Sequence, residues 1–135
     1  MTIKVLALGG DGIGPEAVDS ALQLLEVAAK TVGLSIDISE DLLHGAAWER
    51  YGTLIRPETL QRARDSDALL VGAVGGPQWD NLVIAGGPEE QDGLMKLRHE
   101  LQVFACLRHV RAQSTPLSAR VSPHPISAAG TPPGK

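Results

Sequence analysis

The first sixteen residues constrain the chain most. Ile3 to Leu8 is a β-capable run that meets glycine at once, in Gly9-Gly10-Asp11-Gly12-Ile13-Gly14-Pro15-Glu16. A run bounded in this way reads as a buried strand. Pro15 suits the first position of a helix, and Glu16 in the first turn complements the helix dipole. Val18, Ala21, Leu22, Leu25, Ala28 and Val32 then recur at spacings of three and four, which makes one apolar stripe. Gly33 supplies the stop. A strand, a glycine turn and an amphipathic helix in immediate succession open an α/β layer.

The rest of the pattern agrees. Leu34, Ile36 and Ile38 alternate with Ser35, Asp37 and Ser39, which predicts a half-exposed edge strand over 34–40. A short helix over 44–51 closes at Gly52, and Pro57 opens another that ends near Ser66. Ala68 to Val74 shows no alternation, as expected of a parallel strand covered on both faces. Gly75-Gly76-Pro77 stops it, a long loop runs from Gln78 to Gln91, and Leu94, Leu97, Leu101 and Phe104 mark a helix over 93–104. From Gln113 onward periodicity is lost, and five prolines (Pro116, Pro123, Pro125, Pro132, Pro133) punctuate a Ser/Ala-rich stretch. Such a composition does not offset its ordering entropy by burial, so 112–135 is expected to be a disordered tail on a folded unit of 1–111. The order strand, helix, strand, helices, strand, helix gives α/β with a mainly parallel sheet and flanking helices. Three or four strands are few for such a sheet, so the layer reads as incomplete, with apolar faces left uncovered.

Composition narrows the function. The chain has 135 residues, 43% apolar and 21% charged, which excludes wholesale disorder. The net charge of −4 offers no footprint for nucleic acid or an anionic membrane. No apolar run reaches the roughly 18 residues of a membrane span, and the N-terminus lacks a basic n-region and a cleavage site, so a cytoplasmic protein is expected. The single Cys106, inside Phe104-Ala105-Cys106-Leu107, excludes an internal disulfide and reads as a packing residue.

Local chemistry indicates ligand binding and no reaction. The glycine turn fails the dinucleotide spacing, because Pro15 occupies the third glycine slot, and no Gly-Lys-Ser/Thr follows for a phosphate loop. Two readings remain open for it: an anion or ligand site at a helix start, or a tight structural turn. Gly75-Gly76-Pro77 lies at the carboxyl end of a strand, the edge where open α/β sheets bind ligands. Arg98 and Arg108 suit a di- or tricarboxylate if they converge. About 280° of rotation on one helix would separate them, so convergence requires the helix to end between them. The four histidines (His44, His99, His109, His124) lack metal spacing, and Asp11, Asp80 and Asp92 form no pair suited to acid–base work.

Residues 1–111 resemble the N-terminal part of the isocitrate/isopropylmalate/tartrate dehydrogenase superfamily, closest to its 3-isopropylmalate dehydrogenase branch. The resemblance rests on Gly10-Asp11-Gly12-Ile13-Gly14-Pro15-Glu16, Gly72-Ala73-Val74-Gly75-Gly76-Pro77-Gln78-Trp79-Asp80, Gly93-Leu94-Met95-Lys96-Leu97-Arg98 and Phe104-Ala105-Cys106-Leu107-Arg108, in family order. It implies an oxidoreductase of leucine biosynthesis that oxidises and decarboxylates a 2-hydroxy acid with NAD and Mg²⁺ or Mn²⁺, as a homodimer. It assigns Arg98 and Arg108 to the substrate carboxylates and Leu94 and Met95 to its alkyl group. Gly75, Gly76, Pro77 and the loop to Gln91 fall to NAD. Gln91 stands where the family commonly carries glutamate, and Met95 replaces a leucine. The third substrate arginine, the catalytic tyrosine and lysine and the metal-binding aspartates implied by the family have no counterpart here: the one tyrosine is Tyr51, and no lysine lies between Lys96 and Lys135. The expectation is a frameshifted or prematurely ended product that is inactive by itself. The alternatives are a non-catalytic ligand- or partner-binding remnant, or a fragment acting on tartrate or a related acid.

Overall fold

A computed structural model describes residues 2–80, 82–84, 86 and 88–108. The expected tail, the boundary at 111 and His109 and His124 lie outside these residues. Residues Met1–Phe104 form one compact unit and Ala105–Lys135 a second.

In the first unit, β1 (Thr2–Leu8) leads through the glycine turn to α1 (Gly14–Thr31), β2 (Ser35–Asp41), α2 (Gly45–Tyr51), α3 (Pro57–Arg64), β3 (Ala68–Val71), a 3₁₀ turn (Pro88–Gln91) and α4 (Gly93–Glu100). The sheet order is β2-β1-β3, and both pairings are parallel. Thr2 to Leu8 pair in register with Ser35 to Asp41, and Val5 to Leu8 with Ala68 to Val71. β1 is therefore the central strand, and its Leu6 and Leu8 are fully buried.

Strand periodicity divides the core between the two faces. Leu6 and Leu8 pack with Leu43, Ile55, Leu60 and Ala63 of the α3 side and with Leu97 of α4. Ala7 packs on the other face with Val18 and Leu22 of α1. Burial of each such leucine stabilises the fold by about 2 kcal/mol relative to exposure. β2 is the half-exposed edge strand that its alternation predicts, with the burial of its residues switching along the strand.

Three differences from the expected elements have local causes. The β3 ladder ends at Val71, with a last bond from Gly72 N–H to Leu8 O at 2.9 Å. Ala68 is exposed and Leu69, Leu70 and Val71 are half-buried, not covered on both faces, and among the described residues β3 is an edge strand. The expected apolar stripe of α1 is buried at Val18 and Leu22 and half-buried at Ala21 and Leu25, but Ala28 and Val32 are exposed on an apolar groove also lined by Ile3, Leu25, Ile36 and Leu69. This is the uncovered face that a small sheet leaves.

The third difference is the end of α4, at Glu100 and not at 104. Gln102 turns left-handed with φ 52°, Gln102 N–H reaches His99 O at 3.0 Å and Val103 N–H reaches Arg98 O at 3.2 Å. This is the Schellman pattern, which glycine ordinarily completes. α1 ends by the same pair of bonds, from Gly33 N–H to Lys30 O and Leu34 N–H to Ala29 O, with glycine in place. Phe104 consequently leaves the helical stripe and is fully exposed. Cys106, expected to pack, is exposed as well, because no apolar helix face extends to it. Gln102→Gly is expected to stabilise the chain by about 0.5–1 kcal/mol, by removing the Cβ penalty at a left-handed position. A urea midpoint for the variant at or below that of the parent contradicts this.

Candidate ligand edge at the carboxyl end of the sheet

The glycine turn is built for close backbone crossing. Gly10 has φ 75°, and a Cβ on it would overlap Ala73 O. Asp11 N–H donates to Ala73 O at 2.7 Å and Gly14 N–H to Asp11 O at 2.8 Å. These donors are spent inside the fold, so the tight structural turn is the reading that the geometry favours.

Asp11 is the organising side chain. Its carboxylate is wholly buried. Oδ2 accepts from Gly75 N–H at 2.7 Å, Gly45 N–H at 3.2 Å and His44 Nδ1 at 2.8 Å, and Oδ1 accepts from Ala46 N–H at 2.8 Å. An oxygen that already accepts two N–H bonds takes a third from the imidazole, so Nδ1 carries the proton. One carboxylate thus ties the turn after β1 to the start of α2 and to the edge after β3. The residues show Asp11 as a polar group near a loop, and His44 as one of four scattered histidines. Their pairing spans 33 residues and has no local signature.

Gly75 and Pro77 are exposed at this edge and Gly76 is half-buried against the Trp79 ring. Gly75 has φ 102° with open space where a Cβ would stand. The edge therefore exposes Gly75 and Pro77 at the carboxyl end of a parallel strand, while the Gly75 N–H is spent on Asp11 and Gly76 is backed by Trp79.

The remaining candidates occupy α4 and its approaches. Asp92 is the N-cap of α4: its Oδ1 accepts from Leu94 N–H at 2.8 Å and Met95 N–H at 3.1 Å, the ordinary work of an aspartate at a helix start. Leu94 is half-buried and packs against the core, Met95 is 51% exposed, and Arg98 is exposed in the last turn. The Gln91 carboxamide both donates to Ile84 O and accepts from Ile84 N–H, so it closes its own loop. Glu90 pairs with Lys96 at 2.6 Å. Arg108 belongs to the second unit, where it is exposed. The helix that carries Arg98 ends at Glu100, before Arg108.

A divalent cation does not fit the described residues. Among them no three His, Cys, Asp or Glu side chains converge. Both buried carboxylates are spent, Asp11 as above and Asp41 on Leu42, Arg56, Thr59 and Arg62. Among the described residues no helix is long and apolar enough to cross a membrane.

Comparison with known proteins agrees with this architecture. A crystal structure of a β-decarboxylating dehydrogenase from Thermococcus kodakarensis, in its apo form, superposes with a TM-score of 0.54 at 28% identity, over 74% of this chain and 27% of that one. The 3-isopropylmalate dehydrogenases of Hydrogenovibrio crunogenus and Xylella fastidiosa are 47% and 50% identical over 108 residues, which is 80% of this chain. The chain spans about 30% of the length of these curated relatives. The isocitrate/isopropylmalate dehydrogenase family profile matches residues 4–128. With nearly the whole chain inside that match and a parallel α/β sheet of the same type, the chain belongs to the isocitrate/isopropylmalate dehydrogenase family.

Proposed function

We propose that these residues are the amino-terminal part of an enzyme of the 3-isopropylmalate dehydrogenase type, which oxidises and decarboxylates 3-isopropylmalate in leucine biosynthesis. The observation that carries this reading is the exposed backbone of Gly75 and Pro77 at the carboxyl end of a parallel strand, in a chain 47–50% identical to enzymes of that name. In this reading Gly75, Gly76 and Pro77 lie against NAD. Gln91 reaches it only by giving up Ile84. Arg98 and Arg108 grip the two carboxylates of the substrate, each through a planar fork of N–H donors. Leu94 and Met95 meet the alkyl group, Met95 with a flexible thioether that adapts to its shape. The working enzyme is a cytoplasmic homodimer.

In an enzyme of this type bound NAD would supply a hydride acceptor beside Gly75, Gly76 and Pro77, and a divalent cation would supply positive charge through ligands that are not among the described residues. The reaction also needs a group to take the hydroxyl proton, worth about 10²–10⁴ in rate. Among the described residues no three carboxylate, imidazole or thiol groups converge to hold the cation, and on this reading the chain by itself binds at most and does not turn over. Purified chain with NAD, 3-isopropylmalate and Mg²⁺ is expected to give no rise in absorbance from NADH, and clear turnover overturns this part of the reading.

A chimera tests the rest. Residues 1–108 of this chain replace the matching segment of the Xylella fastidiosa enzyme. The chimera is expected to oxidise 3-isopropylmalate, and Arg98→Ala within it to lower kcat/KM about a hundredfold, the worth of one lost charge-assisted bidentate contact. An active chimera indifferent to Arg98→Ala removes Arg98 from the substrate site. An inactive but folded chimera counts against the assignment as a whole.

A further inference from the structure

His44 has φ 60° and ψ −127°, backbone that only glycine enters without strain. A histidine persists there because four contacts hold it. Its N–H donates to Leu54 O at 2.7 Å, and its C=O accepts from Trp48 N–H at 2.9 Å. Its Nδ1 donates to Asp11 Oδ2 at 2.8 Å. Its ring stands edge-on to Trp79, with centroids 6.3 Å apart and planes at 88°.

Two of these contacts reach the segments assigned above to the two halves of the site. The Asp11 Oδ2 that accepts the hydrogen bond from His44 Nδ1 also accepts one from Gly75 N–H. The bond between His44 and Leu54 is the floor on which α4 starts: a Cβ on Gly93 would stand 2.8 Å from Leu54 O and 3.3 Å from His44 N. One residue therefore touches the diglycine edge through a single shared oxygen, and the start of the helix carrying Leu94, Met95 and Arg98 through its own backbone.

We propose that His44 is a positioning residue: its imidazole, through Asp11, sets where the Gly75 N–H and the diglycine edge lie, while its backbone seats α4. The role in ligand binding rests on the reading of residues 75–77 as the cofactor edge, but the positioning does not. The imidazole presses on Asp11 from one side and the Gly75 N–H from another. Without the ring, the carboxylate keeps the Gly45, Ala46 and Gly75 N–H bonds but loses the side-chain donor that shares Oδ2 with Gly75, so that oxygen is held less firmly against the edge.

Amide hydrogen exchange on the full ¹⁵N-labelled chain separates this from a general structural role. His44→Gly removes the ring at a position where glycine is unstrained. It is expected to speed exchange at Gly75 about tenfold while leaving Leu6 of β1 and Leu94 of α4 within about twofold of the parent, since the backbone bond to Leu54 survives. His44→Asn keeps a side-chain N–H donor at a position as strained for asparagine as for histidine, and it is expected to restore most of the Gly75 protection. Unchanged exchange at Gly75 in His44→Gly overturns the proposal. So does a rise shared equally by Gly75, Leu6 and Leu94, which marks global destabilisation, and so does a failure of His44→Asn to restore protection. None of these readouts involves NAD or substrate, so their failure is distinct from failure of the chimera.

Discussion

Asp11→Ala is expected to destabilise the chain by about 3–5 kcal/mol, a loss large enough to unfold most of a domain of this size at 25 °C. The carboxylate is fully buried and accepts four N–H groups from two separate segments, residues 44–46 and Gly75. Removing it leaves those donors facing a void. Each buried donor left unmade costs about 1–3 kcal/mol. The sum is smaller than four such terms, because Gly75 and Ala46 lie close enough to the surface for water to reach. Asp11→Asn keeps the shape but turns one acceptor into a donor aimed at other donors, and is expected to cost about 2–3 kcal/mol. Urea unfolding followed by circular dichroism measures both. A loss under about 1 kcal/mol for the alanine variant would show that packing and the residue 11 N–H bond to Ala73 O suffice to hold the glycine turn against the diglycine edge.

The contrast between this carboxylate and the helix ends shows what a sequence discloses. The stops at Gly33 and Gly52 and the start at Pro57 are legible because each is a local rule met by one residue in its expected place. The end of α4 obeys the same rule of hydrogen bonding, but Gln102 takes the left-handed position, so nothing in the residues announces it. Leu101 and Phe104 continue the helical spacing past the point where the helix has ended. The central strand is legible from its apolar run, and the edge strand from its alternation. The half-burial of β3 is not, since coverage depends on which neighbours a strand finds. At the candidate site, the diglycine edge follows from punctuation and strand order. The clasp that fixes it does not, because Asp11 meets partners 33 to 64 residues away, and short polar residues near glycines are common in any turn. Asp92, by contrast, sits immediately before an apolar helix, and its capping role is open to inspection.

Asp41 offers the second large effect and a distinct pH signature. It ends β2 and holds the chain that leads into α3. Its oxygens accept from Leu42 N–H at 2.8 Å, from Arg56 at 2.9 and 3.0 Å, from Thr59 Oγ1 at 2.9 Å and from Arg62 at 2.9 Å. Its side chain is 4% exposed. Burial pushes the carboxyl pKa up, but the hydrogen bonds from Leu42, Thr59 and Arg56 and the positive charge of Arg56 outweigh burial and hold it below the usual carboxylate range. The Arg56 guanidinium also lies 4.2 Å from the Tyr51 ring centre, while its Nε is buried with no partner. Its place therefore depends on Asp41 and Tyr51. Asp41→Asn keeps the volume, loses the charge and leaves two arginines facing an amide; a loss of about 2–4 kcal/mol at pH 7 is expected. The sign with pH follows from linkage. A carboxyl whose folded pKa is depressed contributes its stability above the unfolded value of about 3.9, and loses it as pH falls through the folded value. The difference in unfolding free energy between parent and Asp41→Asn is therefore expected to be constant from pH 7 to about pH 5 and to shrink below about pH 4. A difference that stays unchanged at acid pH would show that the asparagine variant loses packing and not charge, and would remove the ion pairs with Arg56 and Arg62 from what joins β2 to α3.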